Sequence, residues 1–140
     1  MKRTLIGTAL AALALAATAH AELVVVVNPK NPVASMTADQ VAQLYLGRIE
    51  SFPGGGNASP IDTKEGSALR DEFYGKVADK NPGQVKAYWA KQMFSGKGQP
   101  PREVASAADV KKTVASDPAA IGYIDKSALD GTVKSVLLVP

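Results

Sequence analysis

The 140-residue chain contains no cysteine and a single histidine, His20. Without cysteine there is no disulfide, no thiolate metal ligand and no thiol nucleophile. His20 falls inside an N-terminal segment that reads as a leader: Met1-Lys2-Arg3, an apolar run from Leu5 to Ala17, then Ala19-His20-Ala21. A basic end, a short apolar stretch and an A-x-A site are the pattern of a cleaved secretory signal peptide. The apolar run is shorter than the roughly 20 residues that a spanning helix needs. Cleavage after Ala21 leaves 119 of the 140 residues, and none of them is histidine. That excludes a Ser-His-Asp or Cys-His site, and any metal site built on His or Cys ligands. No cofactor-binding motif stands in their place.

Charge of one sign is also scarce. Loss of Lys2 and Arg3 takes the 16 basic residues to 14 against 13 acids, a net of +1. Nucleic-acid and membrane-surface binding both draw on a concentrated positive field, which this interspersed balance does not supply. A chain of this length can bury enough apolar surface to fold as one domain over 22–140 without disulfides.

Glu22 to Asn28, ELVVVVN, is a nearly continuous β-branched run and predicts a strand covered on both faces. Pro29 and Pro32 break it. Thr37 with Gln40 has capping-box spacing and opens a helix carrying Val41, Leu44 and Tyr45 on one face, with Gly47 as its stop. Residues 51–60, SFPGGGNASP, are loop by composition; their glycines lack the lysine-hydroxyl pair of a phosphate-binding P-loop. A short apolar stub then leads through Thr63-Lys64-Glu65-Gly66-Ser67 into a helix with Leu69, Phe73 and Val77 on its inner side.

Asn81 and Pro82 start another helix, whose Val85, Tyr88, Trp89, Met93 and Phe94 read as a core stripe rather than a ligand-stacking surface. Pro100-Pro101 lie beyond its end. Ser106 with Asp109 caps a helix to about Ser116 carrying Val110 and Val114; strands at 119–124 and 133–139 follow, separated by a helical turn at 126–129. The order β-α-β-α-α-α-β-β predicts an α/β domain, a small mixed sheet flanked by helices.

The turn at 63–68 is where an anion could sit. The first N–H groups of a helix have no partner within it, and the dipole adds positive character at the same end. The candidate donors are the amides of Gly66, Ser67 and Ala68 and the Ser67 hydroxyl, with Arg70 one turn in. Ser67 could equally be no more than the cap of its own helix, and the residues alone leave both readings open. Asp62, Glu65, Asp71 and Glu72 are the only material for a carboxylate enzyme, and such charge runs belong on a solvated helix face. No catalytic role is assigned to them.

Four stretches carry a resemblance: NPVASMTADQVAQLYLGRIESFPGG, GSALRDEFY, KAYWAKQMFSGKGQPP and DPAAIGYID, with Leu-Tyr-Leu-Gly-Arg-Ile at 44–49 and Ala-Ile-Gly-Tyr at 120–123 the most specific pieces. Together they resemble the phosphate-type substrate-binding proteins of ABC uptake systems, most closely small single-lobe relatives. The resemblance implies one lobe of a type II periplasmic-binding-protein fold and an exported, periplasmic, non-catalytic protein binding phosphate or a related oxyanion. A membrane permease would be its partner. It also implies a ligand motif Arg-x-Asp-Gly-Ser-Gly-Thr, which falls on this chain with Thr63 at the arginine, Glu65 at the aspartate, Gly66 and Ser67 retained, and Ala68 and Leu69 at the last two positions.

Loss of that arginine costs affinity, and Arg70 leaves the chain from a different place. Large binding proteins close two lobes around the ligand. This chain supplies one, so the opposite wall would come from a second copy, as a homodimer, or from another envelope protein. The alternative function is therefore a periplasmic interaction module that keeps the fold without high-affinity ligand binding. The fallback site is Lys30, Asn31 and Ser35, in the loop after the first strand.

Overall fold

A computed structural model describes residues 22–140. The expected signal peptide, residues 1–21, lies outside the described residues. Among those described, no helix is long and apolar enough to cross a membrane.

The apolar run becomes β1 (Leu23–Val27), buried at every position. It lies between β4 (Ala120–Asp125) and β5 (Lys134–Val139), antiparallel to both. β2 (Ser59–Thr63) runs parallel to β4 on one side and to β3 (Arg102–Val104) on the other, giving the five-stranded order β3-β2-β4-β1-β5. β1 is thus the one reversed strand in an otherwise parallel mixed sheet. Successive side chains of a strand point to opposite faces, so one residue set of β1 meets each layer of helices. Val24 and Val26 join Ile61, Ile124, Val110 and Val114 under α4 (Ala107–Ser116). Leu23, Val25 and Val27 join Val41, Leu44, Tyr45, Phe73 and Trp89 under α1 (Ala38–Tyr45), α2 (Ala68–Ala78) and α3 (Pro82–Phe94).

The caps are where the residues placed them. Thr37 and Asn81 each form a complete capping box, with Gln40 and Gln84, and Ser67 and Ser106 accept from the third amide of their helices. Gly47 takes φ +69° after α1, and a Cβ there would stand 3.1 Å from Trp89 Cη2.

Three expectations are corrected. The segment 51–60 is not all loop: Ser59 and Pro60 begin β2, and a Ser51–Asn57 bridge closes a tight turn over Gly54 to Gly56 with Phe52 buried beneath it. The order read from the sequence has no strand between the third and fourth helices, whereas Arg102–Val104 forms β3 at the sheet edge. The aromatic stripe of α3 is only partly core. Val85 and Trp89 are buried, whereas Met93 is 51% exposed and Phe94 96% exposed. At about 100° per residue Phe94 stands roughly 180° around the helix from Val85, so no packing of α3 buries both against one sheet.

α4 approaches the sheet most closely at Gly122, where a Cβ would lie 2.4 Å from Val110 Cγ1 and 3.3 Å from Val114 Cγ2. Gly122→Ala is expected to lower stability by about 1–3 kcal/mol, the usual cost of overpacking. Urea unfolding of the variant beside the parent chain measures it.

Candidate functional site

β2 and α2 are joined by the turn Lys64 to Ser67. Alternation along β2 sends Ile61 toward α4 and the neighbouring Asp62 into the opposite layer, where it is 1% exposed. A buried carboxylate survives only when its oxygens are satisfied. Tyr74 of α2 donates its hydroxyl to Asp62 Oδ2 at 2.6 Å, Tyr123 of β4 donates to Oδ1, and the Thr63 amide donates to Oδ1 at 3.1 Å. Arg70 Nε lies 3.8 Å from the same carboxylate. Burial pushes the Asp62 carboxyl above its usual 3.8, and the hydroxyls of Tyr123 and Tyr74 with the Arg70 charge only partly offset it. Burial and the Asp62 charge raise Tyr74 and Tyr123 well above the phenol range, so both stay protonated donors.

Hydroxyls extend this cluster to the surface. Thr63 Oγ1 is 3.0 Å from Tyr123 Oη and 2.9 Å from Ser67 Oγ, which accepts from the Arg70 amide at 3.2 Å. Each hydroxyl has one proton. Since Tyr123 gives its proton to Asp62, Thr63 must donate to Tyr123, and Ser67 must then donate to Thr63. With Asp62 ionised, the Ser67 proton is directed inward.

The residues named from the sequence are brought together only in part. Gly66 and Ala68 are exposed at the head of α2, and among the described residues their amides have no backbone acceptor. The Ser67 amide is already bonded to Lys64 O at 3.1 Å. Ser67 is the cap of α2, and its hydroxyl is engaged on both sides. Arg70 does not reach back to the turn: its Nη1 donates to Thr63 O at 3.0 Å and to Glu103 of β3 at 2.5 Å. Glu65 is exposed, 3.9 Å from Lys86. Thr63 is a buried link in the hydroxyl chain rather than an exposed ligand.

Asp62, grouped by sequence with a solvated charge run, is instead the buried centre of the cluster. Only its place in the alternation Ile61-Asp62-Thr63 hinted at that; Tyr74 and Tyr123 carried no sequence signal of a polar role. Glu72 pairs with Lys76 one turn along α2. The fallback loop lies at the other end of the sheet, because β1 runs against β2. Its Lys30 and Ser35 are exposed, and the buried Asn31 is occupied by the Val33 amide. It therefore shares no crevice with the 63–68 turn.

Beside the turn, α2, α3 and β3 enclose a groove of about 290 Å³ lined by Tyr74, Val85, Trp89, Ala90, Met93 and Pro100, with Glu65, Asp71, Glu103, Arg70 and Lys86 at its polar parts. Among the described residues no group of His, Cys, Asp or Glu is arranged to hold a metal ion.

This is the architecture of one lobe of a periplasmic-binding-protein fold, with a polar cluster where β2 turns into α2. Residues 15–135 match the family described as the PBP superfamily domain, and the chain belongs to that family. A protein from Clostridium perfringens, crystallised with bound phosphate and assigned to the phosphate ABC transporter substrate-binding proteins, superposes with a TM-score of 0.66 at 24% identity, covering 83% of this chain and 45% of that one. An ABC-type phosphate transport receptor from Vibrio cholerae gives 0.65 at 21% identity, covering 83% and 46%. PstS from Borrelia burgdorferi gives 0.62 at 16% identity, covering 83% and 47%. The chain thus spans a little under half the length of these structures. No curated protein matches its sequence.

Deleting the Tyr74 hydroxyl leaves one carboxylate oxygen short of its strongest donor. Tyr74→Phe is expected to cost about 1–3 kcal/mol, the penalty of an unsatisfied buried acceptor. Asp62 also sets a pH signature. An acid whose carboxyl is raised on folding binds its proton more tightly in the native state, so its contribution to stability declines as pH rises above 3.8 and levels off beyond the folded value. Asp62→Asn should lose that decline, which chemical denaturation across the acid range reads directly.

Proposed function

We propose that the chain is an exported, non-catalytic solute-binding lobe that takes phosphate or a related oxyanion at the head of α2, with residues 1–21 as its cleaved leader. The single observation that carries this is the pair of amides at the exposed Gly66 and Ala68 that have no backbone acceptor among the described residues, at the positive end of an 11-residue helix. Family membership and the phosphate named for the superposed proteins support the choice of anion. Glu65, Ser67 and Arg70 border the site, and Thr63 backs it from within. Binding is weak, because Arg70 is held by Glu103 and Thr63 and the Ser67 proton is turned inward. An ABC permease would be the membrane partner.

A second reading, an interaction module for another envelope protein, is favoured by a different observation. Phe94 is 96% exposed and Met93 51% exposed beside the apolar groove, and the buried Trp89 indole nitrogen, from a groove residue, has no hydrogen-bond partner. Exposed apolar side chains gathered at a groove mark an interaction surface. Cross-linking in cells followed by pull-down would recover a specific partner, lost in Phe94→Ser; retention by the variant counts against this face.

Isothermal titration of the purified protein with phosphate, sulfate and molybdate tests the first reading, and no heat at millimolar anion would remove it. Ser67→Ala and Arg70→Ala should each weaken binding by no more than about 1 kcal/mol, the net worth of a neutral hydrogen bond, since the Ser67 proton is directed inward and the Arg70 fork is held by Thr63 and Glu103; a larger loss in either would make that residue a direct donor to the anion. Because Ser67 caps α2 and Arg70 neighbours Asp62, thermal melts of both variants accompany the titrations.

A further inference from the structure

We infer that the Asp62–Tyr123–Thr63–Ser67 chain is a proton-operated switch for the anion site, with Ser67 donating to a bound oxyanion only when Asp62 carries a proton. The inference rests on the oxyanion reading above and adds its regulation.

The geometry leaves two arrangements. With Asp62 ionised, every hydroxyl points toward it: Ser67 to Thr63, Thr63 to Tyr123, Tyr123 to the carboxylate. If a proton arrives at Ser67 Oγ from solvent, the proton already there passes to Thr63 Oγ1. The Thr63 proton passes to Tyr123 Oη, and the Tyr123 proton to Asp62 Oδ1. One proton has been taken up, each hydroxyl again holds one, and every bond in the chain has reversed.

The carboxylic acid now donates to Tyr123, Tyr123 to Thr63, and Thr63 to Ser67. Ser67 Oγ still accepts from the Arg70 amide, and its own proton is free to point outward, beside the amides of Gly66 and Ala68. Three of the four members are buried, at 1% exposure for Asp62, 3% for Thr63 and 0% for Tyr123, so Ser67 is the end that faces solvent.

Other titratable groups face Asp62. α2 contributes Arg70 and Tyr74, α1 contributes Tyr45, β4 contributes Tyr123, and β3 contributes Glu103 through Arg70. The tyrosines keep their protons throughout, since burial holds all three above the ordinary phenol range. Glu103, which holds Arg70, and Glu65, which borders the site, are the other carboxylates whose charge acts there.

Sulfate, whose charge does not change over the relevant pH range, is the probe. Titrated into the protein at a series of pH values, it should bind more tightly as pH falls, by up to about tenfold per pH unit where about one proton is taken up per anion. Glu103→Gln and Glu65→Gln should each keep that slope. Asp62→Asn, whose amide group donates to Tyr123 as the carboxylic acid would, should bind at neutral pH as the parent binds at acid pH, without the slope. Tyr123→Phe and Thr63→Val each cut the chain and should flatten the slope while Asp62 still titrates.

Sulfate affinity independent of pH in the parent overturns the switch and leaves the oxyanion reading standing. So does a slope that survives both cuts, which would trace the effect to charge alone. Absence of sulfate and phosphate binding in the parent and in Asp62→Asn at every pH removes the oxyanion reading and the switch together.

Discussion

A carboxylate sealed under three helices constrains this lobe more than any apolar contact does. Moving an ionised carboxylate out of water is so costly that its surroundings must be arranged around it. Asp62 accordingly draws one donor from α2, one from β4 and one from its own strand. The phenols that serve it are also core residues: Tyr123 stacks on Phe73 with ring centroids 4.0 Å apart, and Tyr74 sits edge-on to Tyr45 at 6.3 Å. Polar satisfaction and aromatic packing thus share the same side chains. The head of α2 is fixed relative to β4 through them, and so is everything at the turn between β2 and α2.

That arrangement explains why a surface which resembles an anion site by sequence is chemically restrained. The motif arginine expected at position 63 is a threonine, and the arginine that is present, Arg70, is anchored on Glu103. A guanidinium between two carboxylates is a poor receptor for a third anion unless one of them is neutralised or displaced. The amides of Gly66 and Ala68 carry no such prior engagement. Unpaired amides at a helix head favour negative charge in general, over a short range and with a strength that salt reduces.

Much of the frame was legible because it depends on local rules. An apolar stretch of one leucine and four β-branched valines fitted a doubly covered strand, and four N-caps were marked by Thr37, Ser67, Asn81 and Ser106, two of them with Gln40 and Asp109 three places on. Gly47 was readable as a stop because its φ of +69° is one that glycine adopts without penalty. What escaped depends on distance in the chain. β3 is three residues long, is partly exposed and gains its strand character only by lying beside β2. The Asp62 cluster joins residues 61 positions apart, and no periodicity reports a hydroxyl meeting a carboxylate across a sheet. Phe94 was misplaced for a different reason, since a list of large apolar residues on a helix is a stripe only if their angles agree.

At the turn at 63–68, serving as a cap does not by itself commit the Ser67 proton. Ser67 is the cap of α2, and the same oxygen that accepts the Arg70 amide is also one link from Thr63. A serine oxygen has two lone pairs and one proton. Capping uses a lone pair, so it leaves the proton's direction to be decided elsewhere, by whichever neighbour most needs a donor. Here that neighbour chain ends in Asp62, and an ionised carboxylate outcompetes water for the last proton in line. The cap therefore leaves the Ser67 proton to be directed by Asp62, three hydrogen bonds along the chain, rather than by any movement of the backbone.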